Sequence, residues 1–138
     1  MTGFVVNRCY GGFGLSGKAI KRYAELKGFR VFAYKDNILS NNPDKYEYVE
    51  DADSVEFPVY TTKYLGKVYE GKIPNEYYFF DMDIPRNDPC LVQTVQELGM
   101  EANGKHASLG IVDVPDDVDW ILEEYDGIEW ISEAHRTW

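Results

Sequence analysis

A glycine-rich turn is the first segment whose residues could do chemistry. Residues 7–14 read Asn-Arg-Cys-Tyr-Gly-Gly-Phe-Gly and lie between a predicted strand and a predicted helix. Glycines there let backbone N–H groups converge on an anion, and the helix N-terminus adds partial positive charge. Arg8 could contact a phosphate through two N–H groups, while Tyr10 or Phe13 could stack on a base. The residues predicted to bind a ligand in this segment are Asn7, Arg8, Tyr10, Gly11, Gly12 and Phe13.

The spacing of these glycines leaves a second interpretation open. It matches neither the phosphate loop that ends in Gly-Lys-Ser/Thr nor the dinucleotide pattern Gly-x-Gly-x-x-Gly. A tight turn from strand to helix, with a residue at positive φ, would need the same glycines without any ligand.

Two further clusters are candidates for binding. Arg86 and Asn87 stand at a predicted strand-to-helix junction, where ligand sites often lie on loops. His135, Arg136 and Trp138 close the sequence, and a histidine can titrate near neutral pH. A ligand held by the turn would require Arg8, Arg86 and Arg136 to converge in one pocket.

Catalytic and metal chemistry are not favoured. Cys9, His106 and His135 could be written as part of a thiol triad, but their spacing does not demand one. The two histidines and two cysteines show no metal-ligand spacing, so no metal or cofactor is expected. Cys9 and Cys90 are expected to be reduced thiols. The sequence favours a binding protein over an enzyme.

The charge pattern narrows the class of partner. The 138 residues carry a net charge of −10, which disfavours direct nucleic-acid binding because such proteins usually present a basic face. Residues 17–30 contain five bases and one acid, whereas residues 113–133 contain nine acids and no base. No apolar run is long enough to span a membrane and no leader pattern is visible, so a cytoplasmic location is expected.

The elements that must position these residues indicate an α+β fold in a single domain, residues 1–138. We expect a mixed or antiparallel sheet with two helices, about 16–27 and 88–98, packed on it. Ser16 and Asp88 are predicted N-caps, and Pro89 suits the first helical position. Predicted strands cover about 3–7, 29–34, 55–62, 67–70, 77–84 and 107–114, with a hairpin around Leu65-Gly66.

Two other segments complete the prediction. Residues 35–54 are polar and are predicted to be a surface loop or insertion. At the C-terminal end, Asp126-Gly127 favours a type I′ turn, so a β-hairpin is predicted with Tyr125 opposite Ile128. This register places Glu124 opposite Glu129. Like charges directly opposite each other are unfavourable, so we expect this pair of glutamates to lie on an exposed face.

Residues 7–16 (NRCYGGFGLS), 84–89 (IPRNDP), 125–127 (YDG) and 135–138 (HRTW) resemble a widespread group of small phage and prophage accessory proteins. Similar sequences often carry histidine at the position of Asn87. The resemblance implies a protein made in the bacterial cytoplasm, and by analogy one that inhibits or redirects a host or defence protein by stoichiometric binding. A binder of a nucleotide or other phosphorylated small molecule is the alternative, an enzyme ranks third, and homo-oligomerisation is left open.

Overall fold

The computed structural model of the chain describes residues 2–36, 45–55 and 57–133. It confirms an α+β fold with two α-helices and antiparallel sheets. Neither of these helices is long and apolar enough to span a bilayer. The helices are α1 (Gly17–Lys27) and α2 (Pro89–Leu98), and the strands are β1 (Thr2–Asn7), β2 (Phe32–Asp36), β3 (Lys45–Val49), β4 (Val59–Thr61), β5 (Val68–Glu70), β6 (Leu109–Val114), β7 (Trp120–Tyr125) and β8 (Ile128–Glu133).

The larger hydrophobic core lies where the two helices meet β1 and β6. β1 pairs antiparallel with β6, from Thr2 opposite Val114 to Asn7 opposite Leu109. Each helix contributes an apolar stripe to this core. Its fully buried side chains include Val5, Ala19, Ile20, Leu91 and Ala102.

Both helices begin and end where the sequence predicts. The Ser16 hydroxyl accepts a hydrogen bond from the backbone N–H of Ala19 at 3.1 Å. Gly28 follows α1 in the left-handed conformation, with φ of 89°. Phe29 donates its N–H to Ala24 and so belongs to the end of this helix, which is why β2 starts at Phe32 and not at Phe29.

Asp88 anchors the start of α2. One carboxylate oxygen accepts the N–H of Cys90 at 2.8 Å, and the other accepts Lys27 Nζ at 2.7 Å and the Tyr23 hydroxyl at 3.2 Å. Burial alone would raise the pKa of Asp88, but the hydrogen bonds from Lys27 and from the helix amides outweigh it. The pKa of Asp88 therefore lies below its ordinary value.

A depressed carboxyl pKa makes stability depend on pH in one direction. The contribution of the Asp88 charge is present above the unfolded-state pKa of about 4 and is lost as pH falls through the folded-state value. We expect Asp88→Asn, which keeps an N-cap acceptor, to lower the free energy of unfolding by about 1 kcal/mol at neutral pH. In urea denaturation, this deficit should shrink below about pH 4. A deficit that stayed constant across that range would contradict the role of the charge.

A second sheet has the strand order β4-β2-β3-β5 and is built on tyrosines. Tyr34 and Tyr46 are buried with Ile73, and Tyr48 packs its ring 5.8 Å from that of Tyr34. The prediction that all of residues 35–54 form a loop is therefore wrong, because β3 and a 3₁₀ helix, Ala52–Ser54, lie within this range. Tyr46 and Tyr48 lie two residues apart on one face of β3 and pack in the cluster with Tyr34 and Ile73. This packing outweighs the polar composition of the surrounding sequence.

Two further predictions are corrected by this sheet. The turn at Leu65-Gly66 does not close a hairpin, because β4 pairs with β2 while β5 pairs with β3 at the other edge. Residues 77–84 do not form a strand and contain only one isolated bridge, Thr61 to Tyr78. This segment crosses from the tyrosine cluster, where Tyr78 packs, to the larger core, where Phe79 and Ile84 pack, and it bends through a 3₁₀ helix at Asp81–Asp83.

Candidate functional site

Asn7 joins the glycine turn to the C-terminal hairpin. Its side chain is fully buried, and Nδ2 donates to the carbonyl oxygens of Cys9 at 2.7 Å and Gly127 at 2.6 Å. Its Oδ1 accepts the N–H of Ser108 at 2.8 Å. One amide group therefore ties three separate segments of the chain together.

The glycines of the turn allow backbone to approach backbone. A Cβ at Gly11 would lie 1.6 Å from the carbonyl oxygen of His106, and one at Gly127 would lie 2.7 Å from the carbonyl oxygen of Tyr10. Gly12 has φ of 96°, which side chains other than glycine rarely adopt. These positions fit the tight-turn interpretation without any ligand.

Arg86 is enclosed as half of a buried ion pair. Its side chain is 9% exposed and that of Glu129 is 6% exposed, with Nη2 at 2.8 Å from Oε2 and Nε at 3.2 Å from Oε1. Nη1 donates to the carbonyl oxygens of Met82 and Ile84. The guanidinium also lies 3.6 Å from the centre of the Phe13 ring. Arg86 is therefore fixed as a structural cation, and its donors face protein acceptors and not a pocket.

The pairing of Glu124 with Glu129 is confirmed, but the expectation of an exposed face for both is wrong. Glu129 is buried and also accepts the backbone N–H of Asn7 at 3.1 Å. Glu124 is exposed and accepts the N–H of Gly127 at 2.6 Å. Because Arg86 neutralises the charge of Glu129, the repulsion between the two opposed carboxylates is small.

The amides that could hold an anion at the start of α1 already have anionic partners. The carboxylate of Asp53 accepts the N–H groups of Gly17 at 2.6 Å and Lys18 at 3.2 Å. Asp81 accepts the N–H of Leu15 at 2.8 Å. The sequence contains the expected helix-terminus anion site, but this chain occupies it with its own side chains.

The remaining predicted ligand residues are dispersed. Arg8 is exposed and lies against β6, where a Cβ at Gly110 would be 2.5 Å from its Nε. Tyr10 is exposed beside the hairpin turn, and Asn87 lines a separate cavity of about 110 Å³ with Trp120. Arg8 and Arg86 thus contact different partners. The predicted residues His135, Arg136 and Trp138 lie outside the described residues.

Of the residues that could be written as a thiol triad, Cys9 and His106 lie in the described part of the chain and His135 lies outside it. Cys9 and Cys90 are free. The thiol of Cys9 donates to the carbonyl oxygen of His106 at 3.2 Å, which is a backbone contact. Within the same described ranges, no group of three or more histidine, cysteine or acidic side chains could hold a metal ion.

A groove of about 440 Å³ runs along the glycine turn. Its lining includes the apolar or aromatic side chains of Phe57, Tyr60 and Met82 and the charged side chains of Asp81 and Lys105. Phe57 and Met82 are exposed. The Tyr60 hydroxyl is instead shielded from solvent, and this burial raises the pKa of Tyr60 well above its ordinary value. The groove is mainly apolar, and its carboxylates, Asp53 and Asp81, already accept backbone N–H groups at or just before the start of α1.

The hairpin of β7 and β8 exposes several large aromatic and aliphatic side chains. Residues paired directly across an antiparallel ladder lie on the same face. On the inner face, the ring of Trp120 packs 4.5 Å from that of Phe4. On the outer face, Tyr125 is 69% exposed, and Ile121 and Trp130 are each 41% exposed. We call this outer set, Ile121, Tyr125, Ile128 and Trp130, the hairpin patch.

Trp130 is held in one position despite its exposure. Its indole Nε1 donates to Oε2 of Glu123 at 2.7 Å, and the Ser132 hydroxyl donates to the same oxygen. Sequence reasoning predicted the hairpin but missed the patch as a site. The available signal was the occurrence of Trp120, Tyr125 and Trp130 within an otherwise acidic segment.

Comparison with protein-family models, with curated proteins and with solved structures finds no match to this chain.

Proposed function

We propose that this chain is a binding protein that engages a partner protein through the hairpin patch. The observation that carries the proposal is Trp130, a large aromatic side chain that is exposed yet fixed by Glu123. Tryptophan and tyrosine are enriched among residues that dominate interface energies. A side chain already held in place loses less conformational entropy when a partner covers it.

The charge around the hairpin patch supports a basic partner surface. Residues 113–133 carry nine acids and no base, and Glu129 has the buried Arg86 guanidinium as its partner. An acidic rim speeds association with a positively charged surface and disfavours acidic ones. The resemblance to phage and prophage accessory proteins extends the proposal to a bacterial host or defence protein, bound stoichiometrically in the cytoplasm.

The alternative of a nucleotide or phosphorylated ligand at the glycine turn is the weaker proposal. An incoming phosphate would have to displace the carboxylates of Asp53 and Asp81 from the backbone amides. It would also find Arg86 already paired with Glu129. No described feature favours catalysis over binding.

Replacing Trp130 tests the proposed function. We expect Trp130→Ser to weaken capture of a bacterial partner by about 30-fold or more, because hot-spot residues contribute at least about 2 kcal/mol. The measurement is affinity capture from a bacterial lysate, followed by native mass spectrometry of the complex for its stoichiometry.

The matched control is Phe57→Ser, which removes another exposed aromatic side chain from the groove beside the glycine turn. Capture of the same proteins by the wild type, Trp130→Ser and Phe57→Ser would contradict the proposed function. Loss with Phe57→Ser alone would move the binding surface to the groove.

A further inference from the structure

One edge of strand β7 is unpaired among the described residues. In that part of the chain, β7 pairs only with β8, in a sheet of two strands. Sheet edges are commonly protected by charged side chains, especially lysine, by proline or by a bulge, and β7 has two glutamates. The six residues of β7, Trp-Ile-Leu-Glu-Glu-Tyr, contain neither lysine nor proline, and their register with β8 runs without a bulge.

The register defines which amides face that edge. The loop has two residues, Asp126 and Gly127, both with positive φ, so the flanking pair Tyr125 and Ile128 exchanges both backbone hydrogen bonds. Hydrogen-bonded and non-hydrogen-bonded pairs then alternate along the ladder. The N–H groups of Trp120, Leu122 and Glu124 therefore point away from β8, toward the free edge.

Both faces of β7 are partly uncovered. Trp120 and Leu122 on the inner face are exposed, as is Ile121 on the outer face. An added strand would place its side chains alternately on the two faces and would cover all three. A two-stranded sheet is also marginal by itself, and a third strand increases its stability.

Charge decides between a second copy and a different protein at this edge. Two copies of β7 would bring Glu123 and Glu124 of each copy together with the surrounding acids, and like charges opposite each other are unfavourable. A strand bearing lysine or arginine would instead place opposite charges across the new ladder. The edge is thus matched to a basic segment and mismatched to itself.

We infer that β7 receives an extended, basic segment of the partner protein as a third strand of the hairpin sheet. This inference rests on the proposed function and specifies its mode, in which backbone hydrogen bonds to Trp120, Leu122 and Glu124 provide attachment. Side chains of the segment would alternate between the two faces of the sheet, and each face of β7 carries exposed apolar side chains and one glutamate.

Amide hydrogen exchange tests the inference directly. The probe is an acetylated peptide of alternating lysine and valine, compared with one in which glutamate replaces lysine. We expect exchange at Trp120, Leu122 and Glu124 to slow by about tenfold or more with the lysine peptide at saturation. Ile121, Glu123 and Tyr125 should change little because β8 already protects them.

The inference is overturned if neither peptide slows exchange at these three amides at millimolar concentration. It is also overturned if they are already protected in the free protein and native mass spectrometry shows a dimer. In either case, Trp130-dependent capture from lysate would still support the proposed function, so the two failures are distinguishable.

A pair of variants separates the backbone of β7 from its side chains. Leu122→Pro removes one N–H that points to the free edge, where proline is tolerated, and Leu122→Ala removes the side chain but keeps the N–H. We expect Leu122→Pro to weaken binding of the lysine peptide about tenfold more than Leu122→Ala. Equal affinities of the two variants would overturn strand addition.

Discussion

Arg86→Met is expected to lower the free energy of unfolding by about 3–5 kcal/mol, because it leaves the Glu129 carboxylate buried without its cation. The Glu129 side chain is 6% exposed, so water cannot replace the guanidinium without opening the structure. The substitution also removes donors from the carbonyl oxygens of Met82 and Ile84. The measurement is urea denaturation at pH 7 with the slope compared between variants.

A double variant provides the control for this prediction. Arg86→Met combined with Glu129→Gln removes both charges but keeps an oxygen that can accept the N–H of Asn7. Since replacing both members of a buried ion pair is often nearly neutral, we expect the double variant to regain most of the lost stability. If the double variant were as unstable as Arg86→Met, packing of the arginine over Phe13 would be the dominant contribution.

The second large effect is expected from Gly11→Ala. A Cβ at this position would lie 1.6 Å from the carbonyl oxygen of His106, so backbone must move to admit it. We expect a loss of about 3 kcal/mol or more in the free energy of unfolding. Gly12→Ala is the matched control, because its Cβ meets nothing within 4 Å and only the positive φ is unfavourable, at about 1 kcal/mol.

The same measurement separates the two interpretations of the glycine turn. In the tight-turn interpretation, millimolar phosphate leaves the unfolding midpoint of the wild type unchanged. A ligand that binds only the folded state would raise that midpoint. A phosphate-induced rise in the midpoint that disappears in Arg8→Ala would support the phosphate alternative. Similar losses of unfolding free energy in Gly11→Ala and Gly12→Ala would contradict the steric argument.

Local sequence signals determined the helices and the hairpin of this protein. Ser16, Gly28 and Asp88 act within one helical turn of their own position, so capping could be predicted without knowledge of the fold. The Asp126-Gly127 turn fixes the register of β7 and β8 by its two-residue geometry, and the structure confirms that register.

The second sheet could not be predicted in the same way. β3 is surrounded by polar residues, and only the burial of Tyr46 against Tyr34 and Ile73 makes it a strand. The strand order β4-β2-β3-β5 likewise depends on contacts between segments far apart in sequence. Tertiary packing overrides local composition here because β-strand stability comes from neighbours across the sheet.

The candidate site shows the same division. The sequence by itself determined the glycine turn, the polar residues Arg86 and Asn87 before the second helix, and the acidic segment 113–133, each visible as a local pattern. Only the tertiary structure decided their roles, because Asp53, Asp81 and Glu129 come from distant segments to occupy the amides and the arginine that might have bound a ligand. Burial pairs those charges inside the protein, whereas Trp120, Tyr125 and Trp130 of the hairpin stay exposed.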